Sequence, residues 1–204
     1  MKVERSAALR ERFPGLQFAV VHDVVPDEQF AERAGALSVA SAIEAGRDGI
    51  ESNIAATDAF FRAEGFRCPL PGQFASTRKK GLPPVPPLVR ALLYAEMTTG
   101  VLLGVQDGAR VDGDLVFDLA EQGESFPGMR DTVVCRAGEP VVRDATGIVA
   151  SLFQGPDQRT RVESGTTLPI FFAFGVPGLG EGRFDAAIAA VRALFPAGSA
   201  VTHG

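Results

Sequence analysis

The chain has 204 residues, of which 46% are hydrophobic and 22% charged. That is enough apolar material for one domain with a buried core, and it excludes a chain that stays disordered throughout. The formal net charge of −5 excludes a basic field spread over the whole surface, so any RNA contact must rest on a local patch.

The charged N-terminal stretch "MKVERSAALRERFPG" lacks the apolar centre of a signal peptide, and no apolar run nears the ~20 residues of a membrane span. Cys68 and Cys135 lie far apart and are expected to be reduced thiols, which points to a cytoplasmic protein with no membrane partner. "GLQFAVVHDV", bounded by Pro14-Gly15 and Pro26, predicts a buried strand over 16–22. Asp27 then caps a helix with Phe30, Ala34, Leu37, Ala40 and Ile43 on one face, ending near Gly46. A second helix is predicted over 48–64, with Ile50, Ile54, Phe60 and Phe61 inward and Gly65 as its stop. "FRCPLPGQFASTRKKGLPPVPP" is punctuated by Pro and Gly and reads as a long ordered loop carrying the basic turn Arg78-Lys79-Lys80.

Pro87 suits the first turn of a largely buried helix, "PLVRALLYAEM". "VLLGVQ" predicts a short strand ending at Asp107-Gly108. "DLVFDLA" is a further strand, and "TVVCRAGEPVVRD" reads as a hairpin with Ala137-Gly138 in its turn. "GIVASLF" and "TTLPIFFAFG" are strands too, and Pro169 places the start of the second at an edge or bulge. "RFDAAIAAVRALF" is an amphipathic helix stopping at Pro196-Ala197-Gly198. The elements sum to one α+β domain over 1–204, a mixed β-sheet packed with helices.

Over roughly 55–175, the order of "FRAEG", "RKKGLPPV", the Pro87-Leu88-Val89 helix start, Gly100, the strand reaching Asp107, "AEQGESF", "GEPVVRD", "TGIVAS" and "RTRVESGTT" resembles the B3/B4 domain. That module occurs in the β subunit of bacterial phenylalanyl-tRNA synthetase and as free-standing proteins. The resemblance implies a B3/B4-like architecture binding an aminoacyl or amino-acid-like ligand between helix and sheet. It also implies, for an enzyme, an aminoacyl-tRNA deacylase that hydrolyses an ester, with tRNA or an aminoacyl small molecule as partner and no cofactor. Polar positions of the family pattern are occupied here by Pro86, Arg90 and Leu93, by Leu102, Leu103 and Gly104, by Leu152, Phe153 and Gln154, and by Phe174. These replacements make the expected wall more apolar. They leave open a small-molecule metabolic enzyme that reuses the cleft for a more apolar ligand. A non-catalytic binding module, as a homo-oligomer packing through an exposed strand, stays open as well.

The candidate catalytic residues are Glu96, a carboxylate at the end of a buried helix that could orient an amine or act as a general base, or else stand as an ordinary exposed helix-end carboxylate, and Thr166 and Thr167, as hydrogen-bonding hydroxyls. The candidate substrate-binding residues are Arg78 and Lys80 for phosphates, Arg159 for a bidentate carboxylate or phosphate contact, and Leu93, Gln154 and Phe174 for the pocket wall. No residue spacing suggests a metal site: there are two histidines, two separated cysteines and no HExxH. His22-Asp23 is a weaker candidate, because neighbours in an extended chain point their side chains apart. "GVPGLGEGRF" precedes a helix as a phosphate loop would, but lacks the Lys-Ser/Thr ending, and its Pro177 removes a backbone donor.

Overall fold

The computed structural model describes residues 1–196 and 200–203. In chain order the elements are β1 (Val3–Arg5), α1 (Ala7–Arg12), β2 (Gln17–His22), α2 (Phe30–Ala36), α3 (Ala40–Ala63), α4 (Leu70–Lys80) and α5 (Pro87–Thr99). There follow β3 (Leu102–Asp107), a single 3-10 turn at Gly108–Arg110, β4 (Leu115–Leu119), β5 (Ser125–Pro127), β6 (Thr132–Val134) and β7 (Pro140–Arg143). The last are β8 (Ile148–Ser151), β9 (Gly155–Pro156), β10 (Pro169–Gly175), α6 (Arg183–Arg192) and β11 (Ala200–His203). One sheet runs β1-β4-β7-β8-β9, a second runs β11-β2-β10-β3, and β5 and β6 form a separate ribbon. β1 and β4 are parallel while the other ladders are antiparallel, so the first sheet is mixed, the second is antiparallel, and the expected α+β single domain is observed. No helix among the described residues is long and apolar enough to cross a membrane.

β10 explains the continuous apolar run "PIFFAFG", since every residue of it is buried. Alternate side chains leave a strand on opposite faces. Ile170, Phe172 and Phe174 join Phe18 and Phe117 in the core between the two larger sheets, whereas Phe171 and Ala173 meet Leu88, Ala91 and Ala95 of α5 and Ile188 and Val191 of α6. The inter-sheet core is a ring cluster, with Phe18 and Phe117 centroids 4.3 Å apart and Phe18 and Phe174 5.9 Å apart. Each such phenylalanine contributes about 1.5–3 kcal/mol of burial. Pro169 is the first residue of β10 and pairs with Asp107. β10 is central, but its pairing with β2 begins only at Phe171, so Pro169 and Ile170 pair with β3 alone and the proline sits at a local edge, where a strand's first residue can forgo its donor.

Three expectations need correcting. The helix predicted from Asp27 to Gly46 is two helices, broken where Leu37 turns extended (φ −60, ψ 127). The break is held from a distance: Arg90 on α5 donates to Ala34 O (2.8 Å) and Leu37 O (2.9 Å), supplying the donors that the end of α2 lacks. α3 then starts at Ala40 and passes through Gly46 and Gly49, so the helix predicted over 48–64 is its second half. At Gly49 a Cβ would run into the guanidinium of Arg183, so the missing side chain makes room for that group. The long loop is largely α4, with Pro69 at its N-cap and Pro71 in its first turn, where proline's missing N–H costs nothing. Arg78, Lys79 and Lys80 are therefore the last turn of a helix rather than a basic turn. Finally, β6 and β7 are not hairpin partners: β6 pairs with β5, and β7 lies between β4 and β8. Gly138 does turn (φ 81), but it redirects the chain from the ribbon into the sheet. α6 ends at Arg192, and Ala197 and Gly198 of the predicted stop lie outside the described residues.

Candidate functional site

α5 leaves its last turn through Gly100, which is left-handed (φ 74) and sits so close to α3 that a Cβ would meet Ile50 O at 2.6 Å. Asn53 on α3 clamps this corner, donating to Thr99 O (2.7 Å) and accepting from Gly180 N–H (2.9 Å). The corner fixes the angle between α5 and β3 and so shapes a cleft of about 490 Å³. Val89, Leu92 and Glu96 of α5 form one wall, β3 from Leu102 to Gln106 another, and the β8–β9 connection from Ser151 to Gly155 a third. Arg67 and Gln73 lie towards one rim, and Arg161 and Met129 also line the opening. The segments following Gly81 and Asp144 therefore meet here.

Glu96 is 2% exposed. Its Oε1 accepts one hydrogen bond, from Leu103 N–H at 2.9 Å, and no cation pairs with it among the described residues. Burial pushes its carboxyl up to about 8, against the smaller opposing pull of the Leu103 N–H. At neutral pH it is mostly protonated, and a bound cation would favour its ionised form. Gln106 is also fully buried: its Nε2 is pinned by Val149 O at 2.7 Å, while its Oε1 has no donor among the described residues. The cleft thus holds a buried carboxyl with no cation beside it and a buried amide oxygen with no donor, among walls that include leucine, valine and phenylalanine side chains.

The hydroxyl of Ser151 is fully engaged. It donates to Glu139 Oε1 (2.7 Å) and accepts from Phe153 N–H (3.2 Å) and Gln154 N–H (3.1 Å). Glu139, itself buried, also takes Gln154 Nε2 (2.9 Å to each oxygen) and Arg136 N–H (3.1 Å). This network sets the turn that places Leu152 and Phe153. Phe153 is seated on α3 and its C-terminal turn by stacking on Phe66 (4.5 Å) and meeting Phe61 edge-on (5.0 Å). Burial raises the thiols of Cys68 and Cys135 to about 11 and about 12, so neither is a nucleophile. Among the described residues no group of His, Cys, Asp and Glu could hold a metal ion.

Of the residues singled out in the sequence, Glu96, Gln154 and Phe174 line the cleft. Leu93 is half-buried and points away from it. Leu92 takes that place, being four residues from Glu96 on the same helical face, a spacing the periodicity could have shown. Thr166 lies elsewhere, donating to Asp107 Oδ2 (3.0 Å) and accepting from Glu163 N–H (2.9 Å) at the entry to β10, and Thr167 is exposed. Arg159 is committed to Asp144 (2.9 and 3.0 Å), so its fork is already filled by a carboxylate of this chain. Arg78 pairs with Glu51 (3.0 Å) beside a separate groove of about 770 Å³ between α3, α4 and α5, and Lys80 is exposed at the end of α4. The other arginines of that groove are engaged too, Arg47 by Glu44 and Arg90 by backbone carbonyls. Gln106, which had no signal in the sequence, is the cleft residue that inspection missed.

His22 and Asp23 depart from expectation. Asp23 is left-handed (φ 55), which swings its carboxylate back to His22 Nδ1 at 2.8 Å, while His22 Nε2 meets Thr202 Oγ1 at 2.9 Å. The pair ties β11 to β2. The glycine-rich stretch before α6 lines a groove with Glu181 and Asp185, whose charge disfavours phosphate.

Neither a family model nor a curated protein sequence matches the chain. Among solved structures it is similar to the crystal structure of an N-terminal fragment of the phenylalanyl-tRNA synthetase β-subunit from Pyrococcus horikoshii. The likeness has a TM-score of 0.51 at 12% identity and covers 98% of this chain and 50% of that one. This chain thus spans about half the length of that fragment, and what the two share is the fold.

Proposed function

We propose that residues 1–204 act as one B3/B4-type unit whose cleft binds an aminoacyl or amino-acid-like ligand with an apolar side chain. The observation that carries this is Glu96: a buried carboxyl without a cation, in a cleft otherwise walled by Leu92, Leu103, Leu152, Phe153 and Phe174. An ammonium group supplies the missing charge, and an aliphatic or aromatic side chain fills the apolar wall. Arg67, exposed where it lines the cleft, suits an anionic group attached to the acyl end, as in the 3′ end of a charged tRNA, whereas Arg161 is held by Glu163 (3.1 Å). Ser151 and the two thiols are unfit to attack, so loss of an aminoacyl ester here would proceed by direct water attack, aided by the ester's own activation.

The test is titration with a panel of amino-acid amides, alongside ester loss from a panel of mischarged tRNAs. Binding of an apolar amide that Glu96→Gln weakens at least about tenfold, roughly the loss of one charged hydrogen bond, is expected. Ester loss above the buffer rate establishes the deacylase, and binding without ester loss leaves a binding module. No binding by any amide overturns the reading.

A further inference from the structure

β3 is the outer strand of its sheet and pairs on one side only, with β10. In an antiparallel ladder the residues of such a strand alternate, one directing its N–H and C=O to the partner and the next directing both away. Leu103 N–H leaves the sheet for Glu96 Oε1 (2.9 Å), and Asp107 N–H leaves it for Thr160 O (2.7 Å). Val105 lies between them with the same parity and no register shift, so its N–H and C=O also point outward. Among the described residues nothing accepts from Val105 N–H, and nothing donates to the carbonyls of Leu103 or Val105. Both residues line the cleft, and Val105 is half-buried.

This edge is closed at both ends, by the Glu96 carboxyl at Leu103 and by the Thr160 carbonyl at Asp107. Between the closures stands an ordered set: the Leu103 carbonyl, the Val105 N–H, then the Val105 carbonyl. Two residues along a strand advance about 7 Å, so the open stretch has room for no more than about two ligand residues.

We infer that this open segment of β3 reads the main chain of the ligand. The ligand's ammonium donates to Glu96 and to the Leu103 carbonyl, and its carbonyl oxygen accepts from Val105 N–H. The inference rests on the amino-acid-like ligand proposed above and narrows it to an α-aminoacyl group with a free amine, a primary ammonium one carbon from a carbonyl. An N-acylated amino acid brings no charge to Glu96. A longer peptide strand finds one further acceptor, the Val105 carbonyl, and then meets the Thr160 closure.

Three probes sharing one side chain separate the parts: phenylalaninamide, phenethylamine, which keeps the amine and lacks the carbonyl, and N-acetylphenylalaninamide, which lacks the charge. Calorimetric titration of the wild-type protein is expected to show phenylalaninamide binding at least about tenfold tighter than phenethylamine, the worth of one well-made hydrogen bond, with the N-acetyl compound not binding. Val105→Pro removes the N–H in question and no ladder bond to β10. It is expected to weaken phenylalaninamide about tenfold more than it weakens phenethylamine, whereas Val105→Ala, which trims the cleft wall and keeps the N–H, is expected to affect the two ligands alike. If the proline variant does not fold, the wild-type comparison decides alone. Equal binding of phenylalaninamide and phenethylamine, within about twofold, overturns the main-chain reading and leaves Glu96 as a cation site. Binding of the N-acetyl compound as tightly as the free amine overturns both that reading and the role of Glu96. Failure of all three while another apolar amide binds moves the same comparison to that side chain, and failure of every amide overturns this inference along with the function it rests on.

Discussion

Replacing Glu96 by Gln tests the buried carboxyl without any ligand. The native carboxyl is raised to about 8 from an ordinary value of 4.5. Between those two values the folded protein keeps a proton that the unfolded chain has released. Stability therefore falls as pH rises through this window and levels off above about 8. At about 1.4 kcal/mol per pH unit, the group removes on the order of 4 kcal/mol between pH 5 and pH 9. Glutamine keeps an acceptor for Leu103 N–H and cannot ionise, so the variant lacks this slope. Urea unfolding at pH 5, 7 and 9 is the assay. The two proteins should lie within about 1 kcal/mol at pH 5, and at pH 9 the variant's midpoint should be about 2 M higher, for a slope near 2 kcal/mol per M. Stability curves that run parallel across the range would refute the argument. The same linkage acts on binding: an ammonium seated on Glu96 draws its proton off, so titration near pH 7 should release about one proton per ligand, measured across buffers of different ionisation enthalpy.

Gly100→Ala forces a side chain into a left-handed backbone and against Ile50 O at 2.6 Å. It should cost at least about 2 kcal/mol and lower the thermal midpoint by about 5 °C. Asn53→Ala removes both clamps of the same corner and should cost about 2–3 kcal/mol in chemical denaturation, because the Thr99 carbonyl it leaves is buried. Arg159→Met strands the Asp144 side chain, which has no exposed surface. Burial alone would raise that carboxyl, but the Arg159 guanidinium and the N–H groups of Asp112, Gly147 and Thr146 hold it below its ordinary value. The variant should lose about 3 kcal/mol at neutral pH, with a smaller difference from wild type once acid protonates Asp144.

The parts of the fold that were legible are those where local pattern and tertiary demand agree. β2, β3, β10, α5 and α6 are apolar runs bounded by Pro or Gly, and Pro87 opens α5 where a proline belongs. α4 was hidden because Pro69, Pro71 and Gly72 look like breakers unless one knows that they occupy the start of a helix. The α2–α3 break was hidden for another reason: the group that ends α2 is Arg90, 56 residues away. Strand partners at β6 and β7 depend on which sheet each strand reaches, and the Ala137-Gly138 turn carries no information about that. Within the cleft, Glu96 was visible as a carboxylate on an apolar helix. Gln106 was not, because a lone glutamine in a strand does not reveal which face is enclosed. The meeting of His22 with Asp23 turns on one positive φ at a non-glycine residue, which no pattern announces.

β10 is enclosed on both faces and bonded along both edges, so its amide protons have no route to solvent short of unfolding the whole chain. Hydrogen exchange there should report global stability, whereas the amides of β3 that face the cleft should exchange by small local excursions. Phe174 belongs to this slow-exchanging strand and also touches the cleft. Ligand entry therefore meets an unyielding floor, and whatever adapts in shape must do so on the opposite bank, in the short span between β8 and β9.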